Sequence, residues 1–151
     1  MSSHEQRVIL LAEDDPDDQM FARKALNDCQ TTIRIEVVHD GEQLMQYLRR
    51  EGPYSDDDTA PLPDVILLDL NMPRMNGREA LHQIKRDAIL KRIPVIVLTT
   101  SNASPDILDS YDRGTNAYIV KPLNYKAMCA AMDAIGQFWF NTARLTSRDS
   151  R

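Results

Sequence analysis

Along this chain, short apolar runs alternate with stretches in which apolar residues return every three or four positions, the pattern of strands alternating with helices. The run 7–12, Arg-Val-Ile-Leu-Leu-Ala, reads as a buried strand. Asp15-Pro16 then supplies a helix cap and a proline at the first helical position. The helix that follows runs to about Asp28, with Phe21, Ala25 and Leu26 on one side. Residues 32–38 alternate apolar and polar, as a half-buried edge strand would. Asp40-Gly41 turns the chain into a second helix ending near Glu51.

Residues 52–63 are polar and proline-rich and predict a loop longer than most connections in an α/β domain. Within it, Asp56-Asp57-Asp58 is read as a solvated acidic run, because nothing rigid would hold three carboxylates around a metal. Residues 64–70 form a strongly apolar strand broken near its end by an acid, Asp69. Asn76-Gly77 starts a helix to about Arg86, and 93–98 is a fourth strand. Ser104-Pro105 opens a helix to about Arg113, and 117–120 is a short fifth strand. The last helix begins near Asn124, with Met128, Met132, Ile135 and Trp139 at helical spacing. Strands alternating with helices in this way predict βαβ units: a doubly wound, five-stranded parallel α/β sheet covered on both faces.

Length and charge narrow the function. With 151 residues the chain suits one domain that needs no disulfide or metal to hold its core. A formal charge of −5 argues against nucleic-acid binding and gives no support for an anionic membrane surface. No apolar stretch approaches a transmembrane span, and the polar start 1–7 lacks a signal peptide, so a cytoplasmic location is expected. Cys29 and Cys129 fall in predicted helices and are expected to be small buried hydrophobes in a reducing compartment. His4, His39 and His82 are scattered and offer no zinc spacing.

Open parallel sheets bind ligands beyond the carboxyl ends of their strands. Here those ends carry Glu13-Asp14-Asp15, Asp69, Thr99-Thr100 and Lys121-Pro122. An acid after Val65-Ile66-Leu67-Leu68 is costly to bury unless something compensates it. A divalent cation would do so, and Mg²⁺ suits a site of one or two carboxylates that retains waters and accepts phosphate. Capping explains Asp15 without a metal, which leaves Asp14 and Glu13 to face the ion; spacing does not decide between them.

These residues resemble the receiver domains of two-component signalling, the CheY-like fold. The resemblance covers roughly residues 7–136 and rests on Leu-Leu-Ala-Glu13-Asp14-Asp15, Leu-Leu-Asp69-Leu-Asn71-Met-Pro73, Gly77, Leu-Thr99-Thr100 and Tyr118-Ile-Val-Lys121-Pro122, in that order. It implies strand order 2-1-3-4-5 and a response regulator that accepts a phosphoryl group from a histidine kinase on Asp69 and then changes shape. It implies Asp14 as a direct Mg²⁺ ligand, Glu13 as a ligand through water and the Asn71 backbone carbonyl as another. Lys121 would pair with a phosphoryl oxygen, its bond to Pro122 being cis. Thr99 would hydrogen-bond the phosphoryl group, and Tyr118 would swing inward on activation. Such a protein is a phosphoacceptor rather than an enzyme.

Beyond a receiver domain spanning 1–136, an extension 137–151 carries Phe138-Trp139-Phe140 and then a polar tail. Three consecutive aromatics cannot all face one core, so either they pack back on the domain or at least one meets a second copy or a partner. The long loop before strand three, the start Gly77-Arg78-Glu79-Ala80-Leu81 and the Phe-Trp ending look like the single-domain regulators paired with phytochrome histidine kinases, which typically dimerise through their C-terminal part. Three rival readings remain. A Mg²⁺-dependent aspartyl phosphohydrolase would place an acid where Asn71 stands. A flavodoxin-like cofactor binder would not place Glu13, Asp14 and Asp69 where a flavin phosphate must sit. A phosphorylation-independent docking module would have no use for the acceptor, acids, threonine and lysine together.

Overall fold

The computed structural model describes residues 6–29, 32–56 and 59–146. Its strands are β1 (Arg7–Ala12), β2 (Ile33–Val38), β3 (Val65–Leu68), β4 (Val95–Thr99) and β5 (Ala117–Val120). They alternate with helices α1 (Pro16–Cys29), α2 (Gly41–Arg49), α3 (Gly77–Arg86), α4 (Ser104–Asp112) and α5 (Tyr125–Gly136). The strands form one parallel sheet in the order β2-β1-β3-β4-β5, the CheY-like arrangement.

Strand side chains point alternately to the two faces, and the sheet separates two cores accordingly. Leu10, Ile66, Leu68, Val95 and Val97 pack beneath α2 and α3 with Leu44, Leu48, Leu81 and Ile84. Ile9, Leu11, Val65, Leu67, Ile96 and Leu98 pack beneath α1 and α5 with Ala25, Leu26, Met128 and Met132. A leucine truncated to alanine in either layer would cost roughly 2–5 kcal/mol. The edge strands β2 and β5 are only partly buried.

Local chemistry sets where the helices begin. Asp15 Oδ1 accepts the backbone N–H groups of Asp17 at 2.8 Å and Asp18 at 3.4 Å, so Asp15 does cap α1. Asp40, Asn76 and Asn124 cap α2, α3 and α5 in the same way, through Gln43, Glu79 and Ala127 N–H.

Several sequence expectations change. The long loop is not solvated throughout: a 3₁₀ turn at Gly52–Tyr54 rests Tyr54 against Tyr47, whose hydroxyl donates to the Pro61 carbonyl, and Ala60 and Leu62 are buried. Asp57 and Asp58 lie outside the described residues, as does the side chain of Cys29. Cys129 is half-buried at the edge of the second core rather than enclosed in it. No cis peptide bond occurs among the described residues, so Lys121–Pro122 is trans, contrary to what the resemblance implied. The X–Pro amide favours trans by about 0.5–1 kcal/mol. On either side of it, the Lys121 N–H donates to the Thr99 carbonyl at 2.7 Å and Leu123 lies fully in solvent.

After α5 the backbone continues as a π-helical segment, Gln137–Thr142. Trp139 and Phe140 fold back on the second core, and Arg7 lies 5.7 Å over the Phe140 ring. Phe138 stays half exposed and meets Trp139 edge to face. Leu145 and Thr146 line a small cavity with Leu62, Pro63 and Ile93, at the amino ends of the strands.

Candidate functional site

At the opposite end, the carboxyl ends of β1, β3, β4 and β5 bring Glu13, Asp14, Asp69, Thr99 and Lys121 to one rim. Backbone hydrogen bonds fix the rim. Asp69 N–H donates to the Ala12 carbonyl at 3.0 Å, and Glu13 N–H to the Val38 carbonyl at 3.0 Å. The β3–α3 loop is held down by Asn71 N–H, which donates to Asp69 Oδ1 at 3.2 Å, and by Gly77 N–H, which donates to the Leu70 carbonyl at 2.9 Å.

Glu13, Asp14 and Asp69 each present a carboxylate oxygen, and the three lie within 4.8 Å of one another. Asp14 is exposed, whereas Glu13 and Asp69 are buried. Three close carboxylates repel, and the oxygen-only donor set suits a hard divalent cation. The cation the chain itself supplies is Lys121. Its Nζ lies 2.5 Å from Glu13 Oε1, 2.8 Å from Asp18 Oδ2 and 3.3 Å from Asp69 Oδ2.

Burial pushes the Glu13 carboxyl up to about 7, and the nearby Asp69 charge adds to the effect, while bonds from Lys121 and Asp15 N–H oppose it. Burial works against the Lys121 charge too, but its hydrogen bonds to Asp18 and Glu13 and the charge of Asp69 outweigh that and hold the ammonium above the ordinary lysine range. Lys121 is therefore a permanent cation beside Asp69.

Thr99 is fully buried at the end of β4, and among the described residues its Oγ1 has no hydrogen-bond partner. An unpaired buried hydroxyl costs roughly 1–3 kcal/mol, so the position suits an acceptor that arrives only in another state. Two residues further on, the Ser101 carbonyl accepts the Tyr118 hydroxyl at 2.8 Å. Ser101 Oγ donates in turn to Asp106 at 2.5 Å, and Arg78 reaches the other Asp106 oxygen at 3.3 Å. Tyr118 itself is half-buried against the first core.

Parallel-strand ends that collect an acid trio, a lysine and an unpaired hydroxyl at one rim point to phosphoryl chemistry, and the sequence comparisons agree. Residues 9–133 match the response regulator receiver domain. The chain belongs to the response regulator receiver family. Among curated receivers, it is 38% identical to the response regulator Rcp1 of Synechocystis sp. over 143 residues, 95% of each chain. The crystal structure of the phosphorylated cyanobacterial phytochrome response regulator RcpA is 43% identical, with a TM-score of 0.87 over 95% of this chain and all of that one. The Mn²⁺-bound form of Rcp1 superposes with a TM-score of 0.83 at 38% identity over 93% of this chain and 99% of that one. The receiver RPA3017, from red light signaling of R. palustris, gives 0.88 at 34% identity over 93% of this chain and 99% of that one. The chain is thus a receiver of the two-component signalling kind, and its acid cluster is one that can hold a divalent ion.

Sequence reading did not single out Asp18, Ser101, Asp106 or Arg78. The one local signal for Asp18 was its place three residues after the cap Asp15, one turn into α1 on the same side, and that position does not distinguish it from any first-turn acid.

Proposed function

We propose that the chain accepts a phosphoryl group on Asp69 with Mg²⁺ bound at Glu13, Asp14 and Asp69, and passes the signal on by changing shape. The observation that carries this reading is the Lys121 ammonium lodged between the Glu13 and Asp69 carboxylates, with the unpaired Thr99 hydroxyl at the end of the neighbouring strand. An Asp69 oxygen forms the new P–O bond as the donor's bond to phosphorus breaks and its electron pair leaves with the donor. Lys121 offsets charge on the transferred oxygens, and Thr99 donates to one of them. Mg²⁺ supplies further charge neutralisation when bound. Asp14, Asp69 and the Asn71 carbonyl would hold it directly and Glu13 through water; both Glu13 oxygens already accept hydrogen bonds, which supports the indirect role.

Drawing Thr99 toward the phosphoryl group shifts the β4–α4 loop, and the Tyr118–Ser101 bond is the contact that such a shift would break. The donor is a sensor histidine kinase, and the likeness to RcpA supports one of phytochrome type. Residues 1–136 act as the receiver and 137–151 as an extension for contact, with Phe138, Trp139 and Phe140 contributing to a homodimer; the exposure of Phe138 supports this. The chain works in the cytoplasm without nucleic acid or membrane, a reading its net charge of −5 supports.

Intact-mass analysis after incubation with acetyl phosphate and Mg²⁺ tests the chemistry. A phosphoryl mass gain is expected in the native chain, and none without Mg²⁺ or in Asp69→Asn. A native chain that gains nothing would sink the reading.

A further inference from the structure

The Lys121 ammonium has three N–H bonds and three carboxylate neighbours, from Glu13, Asp18 and Asp69. Two of these belong to the rim. The third, Asp18, stands in the first turn of α1 and is absent from the acid trio that could hold a metal. We propose that Asp18 is a positioning residue for phosphoryl transfer: from α1 it holds the Lys121 ammonium in place beside Asp69. The inference rests on the reading of Asp69 as phosphoryl acceptor.

Packing alone does not hold this lysine. A cavity of about 240 Å³ opens beside it between α1 and α5, lined among others by Phe21, Leu98, Pro122 and Met128. Glu13, Asp18 and Lys121 form its polar wall. A flexible four-carbon side chain next to such a space is free to withdraw from Asp69 unless something holds it. The Asp69 contact, at 3.3 Å, is the longest of the three and cannot be the anchor. Glu13 pulls from β1 and Asp18 from α1, so the ammonium is set from two directions.

The geometry also suits the reaction. When Asp69 takes the phosphoryl group, its oxygen forms the new P–O bond and the acyl oxygen of an acetyl phosphate donor departs with the electron pair. No proton is needed, and Lys121 stays charged throughout. The N–H that faced Asp69 is then free to turn to a phosphoryl oxygen, while Glu13 and Asp18 keep the other two. A lysine fixed in advance avoids reorganisation at the moment of transfer, and a misplacement of about 1 Å can cost on the order of a hundredfold in rate.

The rival role for Asp18 is purely local, since an acid in the first turn also favours the helix dipole. Two readouts on the whole chain separate the roles. One is the initial rate of phosphoryl mass gain from acetyl phosphate and Mg²⁺. The other is the NMR signal of the Lys121 ammonium, assigned by its disappearance in Lys121→Met and visible only while the group is held and shielded. Asp18→Ala is expected to slow mass gain roughly tenfold and to broaden the ammonium signal away. Asp18→Asn, which keeps an acceptor oxygen, should restore much of both. Alanine favours the helix, so folding is not at risk, and a thermal melt checks it. A native rate in Asp18→Ala overturns the proposal, and so does a slowed rate with the ammonium signal unchanged. If the native chain itself gains no phosphoryl mass, the acceptor reading falls and this inference falls with it.

Discussion

The α-carbon of Gly77 sits against the peptide of Asp69, so closely that a Cβ there would overlap the Asp69 carbonyl oxygen and stand 2.6 Å from the Leu70 α-carbon. The atoms in the way are backbone, with no flexible side chain to give. The glycine that starts α3 thereby sets how far Asp69, the proposed acceptor, lies from the helix.

Gly77→Ala should therefore push the Asp69 backbone off the rim. Overpacking of this kind costs about 1–3 kcal/mol, seen as a lower Tm. Phosphoryl mass gain should fall more than that loss of stability explains. A variant with native Tm and native mass gain would show that the loop yields freely.

The lone Thr99 hydroxyl predicts opposite effects in two states. Thr99→Val removes an unpaired buried polar atom and should stabilise the unmodified chain by about 1 kcal/mol, a rise of roughly 2–4 °C in Tm. It should also weaken the phosphorylated state, seen as faster loss of the phosphoryl group by intact mass. A lower Tm in the unmodified variant would mean that the hydroxyl is already bonded.

Lys85 predicts a pH dependence away from the site. Its ammonium donates to the Lys91 and Ile93 carbonyls and to Asn116 Oδ1, all neutral. With no carboxylate to offset burial, its pKa falls from 10.5 to about 8. Between those values the unfolded chain holds a proton that the folded chain has released, so stability should rise with pH across that window. Below it the cost of the buried charge is fully present. Chemical denaturation of the native chain and Lys85→Met from pH 7 upward checks this: only the native chain should show the rise.

Much of this was readable from residue order. The acids, threonine and lysine each close an apolar run, and parallel strands bring such ends to one rim. Helix starts followed from Asp15-Pro16, Asp40-Gly41 and Asn76-Gly77, because a capping side chain and its amide are near neighbours in sequence. Asp18 was hidden for the converse reason. Its partner is 103 residues away, and a first-turn acid is an ordinary sight on any helix. The burial of Ala60 and Leu62 was obscured by the prolines and aspartates around them. The trans Lys121–Pro122 bond depends on how one loop packs, which residue types do not encode.

The cation–π contact between Arg7 and Phe140, with Leu145 beside Pro63, brings the first strand and the last described segment together at the amino ends of the strands. Asp69 stands at the other end, a strand length away, roughly 15–20 Å at about 3.3 Å per residue. A fluorescent reporter fused after this segment would hang below the sheet rather than across its rim. Such a fusion leaves the approach of a phosphoryl donor open, so the receiver can be tagged there and still be assayed on its own chemistry.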